Sequence, residues 1–397
     1  MFDNRSYRFL QVKIISTLLF FFLYLHPVTS QTPDSAARFQ CNGYIEVMQT
    51  VLFDSIKKNW STEDLVNNRL NFKWYATNNL TAAMEMRNRI IYGDMITNNP
   101  LVASTYASDN GFLNMTANII QGNSFILNTN IDRLWLAWEE NKIRITLGRQ
   151  RINWGQCFVW NPNDLFNVYS FFDFDYVERP GSDAVRIQYY NTATNTSEFA
   201  IKMNNQNEVT AAGYYKFNTH GYDIQFLGGV LNSKDYMIGT GWSGSISSVA
   251  FRGELSYFQP MKTFTDTSGQ FMMSIGADHT FGNRMMIQGE FLYSNKSLNQ
   301  APDFLSYYNA PLTVQNLAIV NYNFFAQFSY PVTPLLNATF AGMFFLGIRG
   351  YYIGPSVSYS LTNNLDVSFY LQSFSGKFQN QPTQNINLAF LRIKMNF

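Results

Sequence analysis

At 397 residues the chain would ordinarily divide into two or three soluble domains, taking roughly 150 residues for each. Its composition argues against that reading: charged residues make up 14%, against roughly 25% in ordinary soluble domains, while aromatics reach 17%. Mean hydropathy is only −0.16, so apolar and polar residues must alternate instead of segregating. With 28 basic and 27 acidic residues, the chain lacks the positive excess of a nucleic-acid binder. Two Cys rule out a disulfide framework, and no Cys/His cluster offers a zinc site.

In chain order, a basic start (Arg5, Arg8, Lys13) precedes the apolar stretch Ile14 to Leu25. His26-Pro27 breaks it, and Val28-Thr29-Ser30 supplies the small residues that a signal peptidase reads. Residues 1–30 are therefore expected to be a secretory signal peptide, cleaved before Gln31. Twelve apolar residues reach only about 18 Å as a helix, too short for a hydrocarbon core of about 30 Å. A short periplasmic segment, 31–42, is expected next, and then a barrel over 43–397.

From residue 43 the pattern has period two. Ile143, Ile145 and Leu147 alternate with Lys142, Arg144 and Thr146; Phe251, Gly253 and Leu255 alternate with Arg252, Glu254 and Ser256. Such alternation sets one face in an apolar medium and the other in a polar one. About eighteen runs can be counted, many 9 to 13 residues long, which suits tilted strands crossing a bilayer. The connections sort by parity: Thr77-Asn78-Asn79, Glu140-Asn141, Thr219-His220 and Gly282-Asn283 are tight, whereas 92–128, 151–182 and 296–316 are long. Short periplasmic turns and long outer loops are the mark of outer-membrane barrels. The expected fold is all-β, a transmembrane antiparallel barrel of about 16–18 strands. The last strand alternates Leu391, Ile393, Met395 and Phe397 with Arg392, Lys394 and Asn396. A strand ending on an aromatic resembles the signal read by the outer-membrane assembly machinery, which makes that machinery an expected partner.

The most distinctive stretch runs from Arg133-Leu-Trp-Leu-Ala-Trp through Leu147-Gly148-Arg149-Gln150-Arg151-Ile152-Asn153-Trp154-Gly155. It continues with Trp160-Asn161-Pro162-Asn163-Asp164-Leu165-Phe166 and Arg179-Pro180-Gly181-Ser182-Asp183-Ala184. Over about 60 residues it resembles porin-type outer-membrane barrels of Gram-negative bacteria, the alginate-export and related uncharacterised families nearest. The resemblance implies an outer-membrane barrel that forms a pore, without specifying a solute.

Loop 151–182 is aromatic and acidic, with Phe171, Phe172, Phe174 and Tyr176 beside Asp173, Asp175 and Glu178. Thirty residues of that composition gain by folding into the barrel mouth, which would bring carboxylates toward Arg149, Arg151 and Arg179. Arg149 falls on the parity opposite to Arg144, at the outer end of its strand, and must sit above the lipid or turn back to the loop. The candidate pore-lining and constriction residues are Arg87, Arg89, Lys142, Arg144, Arg149, Arg151, Asp164, Asp173, Asp175, Glu178, Arg179, Asp183 and Arg186. Ordinary loop salt bridges, or an outer aromatic girdle, would account for the same residues. By parity the polar faces carry thirteen positive side chains against seven negative ones, Glu254 and Glu290 among the latter, so the wall should favour anions.

Enzyme chemistry fits poorly: past residue 30 there are two His, His220 and His279, both expected near the periplasmic rim, and no P-loop, HExxH or GxSxG element. No cofactor or metal is expected. About a dozen residues before the first strand leave no room for a plug domain. The expected function is diffusion of small hydrophilic solutes, with anions preferred, through a monomeric or trimeric barrel in the outer membrane. The alternative is a non-conducting barrel whose loops bind surface polysaccharide or a protein partner.

Overall fold

The computed structural model describes residues 38–55, 60–98, 101–173, 176, 178–265, 267–297, 312–377 and 382–397. The expected signal peptide, Asp175 and most of loop 296–316 lie outside them. Arg38–Asn396 form one compact unit.

Among the described residues nineteen strands follow one another. The first six are β1 (Phe39–Phe53), β2 (Ser61–Tyr75), β3 (Leu80–Tyr92), β4 (Thr116–Gln121), β5 (Phe125–Glu140) and β6 (Ile143–Gln150). Then come β7 (Ser182–Tyr190), β8 (Thr196–Met203), β9 (Val209–Thr219), β10 (Tyr222–Leu231), β11 (Asp235–Ile246) and β12 (Val249–Pro260). The last are β13 (Gln270–Thr280), β14 (Met286–Ser294), β15 (Tyr322–Pro331), β16 (Leu336–Phe345), β17 (Gly350–Thr362), β18 (Leu365–Gly376) and β19 (Gln384–Asn396). Two short helices, α1 (Asp94–Asn98) and α2 (Leu101–Tyr106), lie between β3 and β4.

Every neighbouring pair is antiparallel, and β1 pairs with both β2 and β19, which closes the sheet. Eighteen strands form the barrel; β4 is an addition, paired to the outer end of β5. Tight turns join alternate strands at one rim, and Asn141 (φ 54°) and His220 (φ 49°) supply the left-handed residues they require. The expected eighteen runs all correspond to barrel strands, but boundaries move where neither face meets lipid. β1, β2 and β5 begin four or five residues earlier than alternation suggested: at the outer rim Ser61, Thr62 and Glu63 keep pairing without an apolar stripe, and at the tight-turn rim Phe39–Asn42 pair with the end of β2. β15 starts later, since Leu317–Val320 turns inward and is buried. Expected loop 92–128 contains both helices and β4.

The exterior carries the apolar residues of the alternation. Trp74 (52%), Ile145 (37%), Leu147 (57%), Phe226 (52%) and Ile238 (66%) are exposed, whereas their polar neighbours point inward. No such belt is stable in water over a whole barrel; it is a lipid-facing surface.

Candidate functional site

β6, β7 and β8 are only 8, 9 and 8 residues long, so the wall is low there. Above it the barrel is completed by β4 and the segment preceding it, with Gly111 bridging to Asn204. Arg149 pins this patch. It stands opposite Leu134 and Asp183, on the outward parity, yet meets no lipid. Its guanidinium donates to Asp183 (2.6 Å) and Asp109 (2.7 Å) and to the carbonyl of Leu113 (2.6 Å). The two candidates Arg149 and Asp183 stand side by side on neighbouring strands. They are a wall joint beside an outer cavity of about 290 Å³ that also meets Arg87 and Lys202.

The chain after β6 turns into the lumen and crosses it. Gly155 permits the first turn: a Cβ there would fall 2.4 Å from the Asn161 side chain. Trp154 is fully buried, stacks on Tyr214 and donates to Glu198 (3.1 Å). Residues 156–163 then lie along two inward carboxylates. Glu254 on β12 accepts the backbone N–H groups of Gln156, Cys157 (3.0 Å) and Asn163 (2.8 Å). Glu290 on β14 accepts those of Phe158 (2.8 Å), Val159 (3.0 Å) and Trp160 (2.6 Å). The Asn163 amide donates to the Thr240 carbonyl and accepts from Ser256. Asp164 is enclosed by the loop; burial pushes its carboxyl up to about 6, against the pull of the Asn167 and Trp154 backbone N–H groups. Beyond it, Phe171 and Phe172 pack edge-on against Phe325, Tyr352 and Phe374 of the opposite wall.

The return leg reaches β1, β2, β3 and β5. Tyr176 donates to Asp132 (2.6 Å) and lies under the Arg87 guanidinium, 3.9 Å from its ring centroid. Glu178 accepts from Tyr44 (3.3 Å) and pairs with Arg69 at 3.8 Å. Arg133 donates to the carbonyls of Glu178 and Arg179 (2.7 Å each). Gly181, the glycine of the Arg-Pro-Gly motif, passes so close that a Cβ would sit 2.6 Å from the Asp132 carbonyl oxygen. Arg69 has no exposed side-chain surface and contacts Asp132, Glu85 (2.5 Å) and Glu178.

The expected candidates thus separate into groups. Arg144, Arg151 and Arg186 line a cavity of about 570 Å³ beneath the loop, with Arg133, Trp135, Tyr190, Glu85 and Glu178. There Arg144 pairs with Glu139 (3.1 Å), Arg186 with Glu198 (2.6 Å), and Arg151 is exposed. Arg87 and Arg179 are capped by loop rings, the latter 3.1 Å above Tyr169. Arg89 donates to Asn128 (2.7 Å) near the outer end, and Lys142 to the Asn191 carbonyl (3.1 Å) at the tight-turn rim. Asp173 is exposed on the loop. Glu178 serves Arg69, and Asp175 lies outside the described residues.

Sequence reasoning placed Glu254 and Glu290 on the wall but missed their use as acceptors for the loop backbone. It missed Asp132 altogether, because a bulge between Glu85 and Met86 of the β3–β5 ladder leaves Asp132 as an extra residue.

No protein family matches the chain by sequence, and no curated protein sequence does. Solved structures do match by shape. Pseudomonas aeruginosa OpdQ superposes with a TM-score of 0.55 at 7% identity, covering 91% of this chain and 99% of its own. P. aeruginosa OccK5 (OpdH) gives 0.55 at 9% identity, covering 90% and 98%. Acinetobacter baumannii OccAB1 gives 0.54 at 8%, covering 94% and 100%. The fold is that of a porin-like outer-membrane barrel. The apolar belt is then the surface that meets the outer-membrane lipid, and the tight-turn rim is the periplasmic one.

Proposed function

We propose that the protein is an outer-membrane channel for small hydrophilic solutes, with anions favoured over cations. The observation that carries this reading is the 570 Å³ cavity beneath the loop. Four arginines, Arg133, Arg144, Arg151 and Arg186, meet there with two acids, Glu85 and Glu178. Both acids also contact Arg69, outside the cavity lining, which they share with Asp132. Arg133 spends its donors on backbone carbonyls that carry no charge. The lining itself thus carries four guanidinium groups against two carboxylates, an excess that low-dielectric walls focus. Trp135 and Tyr190 add flat apolar faces beside the guanidinium groups. The inward loop crosses the lumen above this cavity and takes up part of its width.

A second reading has its own support. The loop rings and the buried stretch Leu317–Val320 fill much of the outer lumen with apolar side chains, as a non-conducting barrel would require. Single-channel recording in planar bilayers separates the two. The channel reading predicts discrete conductance steps in salt solution; a folded, inserted barrel that gives no steps at any salt would leave the surface-binding barrel.

A further inference from the structure

We propose that Glu254 and Glu290 are positioning residues that hold the inward loop at a fixed depth and thereby set the width of the pathway; the part concerning width rests on the channel reading above. Six backbone N–H groups from the single stretch 156–163 converge on these two carboxylates. Both side chains are buried, Glu254 at 0% and Glu290 at 4% exposure. Among the described residues neither forms an ion pair with Lys or Arg. Their charge is met by loop N–H groups, with Ser274 the one wall hydroxyl that donates to Glu290 (3.1 Å). The ladders of β12 and β14 are complete without them, so the wall does not need these carboxylates to form. What they fix is the loop.

The other contacts of this stretch fix it less well. Gln156 to Gln225, and Asn163 to Thr240 and Ser256, are neutral hydrogen bonds. The rings at Phe171 and Phe172 pack without direction and tolerate sliding. Charge-assisted bonds are roughly twice as strong as neutral ones, and here they come in two sets of three, from the middles of two strands. A glutamine at either site keeps the shape but turns an NH2 group toward N–H donors. That replaces attraction with donor–donor repulsion.

Cys157 reports on the loop directly, because its thiol is buried at the Glu254 contact, hydrogen-bonded toward the Ser274 carbonyl. The experiment uses full-length protein with Cys41→Ser, refolded in liposomes, and a membrane-impermeant maleimide. In the Glu254→Gln/Glu290→Gln variant, Cys157 should label several-fold faster than in the parent, and single-channel conductance should rise. If the double variant fails to fold, Glu290→Gln alone carries the test with a smaller shift in the same direction. Glu208→Gln, at the outer rim away from the loop, should label like the parent. Unchanged labelling in a folded variant overturns the proposal, as does equal acceleration by Glu208→Gln, which would mean general loosening. Higher conductance without faster labelling also overturns it, since loss of lumen charge would then suffice. Faster labelling with unchanged conductance supports the anchoring role and instead removes the reading of the loop as the constriction.

Discussion

Arg69 shows how the lumen handles charge at the scale of one residue. Its guanidinium is withdrawn from solvent and surrounded by Asp132, Glu85 and Glu178. Removing one partner of such a buried cluster costs about 3–5 kcal/mol, because the remaining charges lose their compensation. Arg69→Met should therefore lower the unfolding free energy of the refolded barrel, read from urea titration, by an amount of that order; an unchanged unfolding free energy would mean that water already solvates Asp132. The parity of the strands made Arg69 legible as a lumen residue, but not its partners. Asp132 enters the cluster through a bulge, and Glu178 through a loop 109 residues further along the chain. Cys157 teaches the same lesson. Its N–H reaches Glu254, 97 residues away in sequence and in the middle of a strand.

For single elements the alternation was the dependable signal. β6 is a direct case: Ile145 faces out at 37% exposure, while Thr146 is buried and Arg144 reaches the cavity. An Arg on the lipid face near the midplane costs about 2–4 kcal/mol. Ile145→Arg should lower folding yield into liposomes more than Arg144→Ile, and equal yields would contradict the strand register. Loops carry no such period, and their destinations were only partly legible. The aromatic content of 151–182 pointed inward because rings seek burial. The acceptors that fix its course belong to strands 91 to 132 residues later, and nothing local encodes them. The role of Arg149 was hidden for a similar reason, since Asp109 arrives from a separate outer loop that repairs a low stretch of wall.

Across the whole molecule, eighteen strands make a ring wide enough for water, and the inward loop decides how much of that width remains. Strand number, closure and the apolar belt were readable from the count of alternating runs and the parity of connection lengths. The net wall charge was not, because several of the counted charges are already spoken for. Arg69 is enclosed by three acids, Arg144 and Arg186 pair with Glu139 and Glu198, and Glu254 and Glu290 hold the loop. What remains to face a solute is the cavity set, in which exposed Arg151 stands beside the paired Arg144 and Arg186.

The central claim is an anion-favouring pathway through that set, and the reversal potential under a salt gradient tests it most directly. At low salt the Debye length is about 30 Å and the arginines act across the lumen; at 1 M it is about 3 Å and they do not. Wild type should reverse at the anion side at low salt, drifting toward zero as salt rises, and Arg144→Gln with Arg151→Gln should move the low-salt value toward cations. A cation-selective or unselective wild-type channel at low salt, or a double variant indistinguishable from it, would contradict the account.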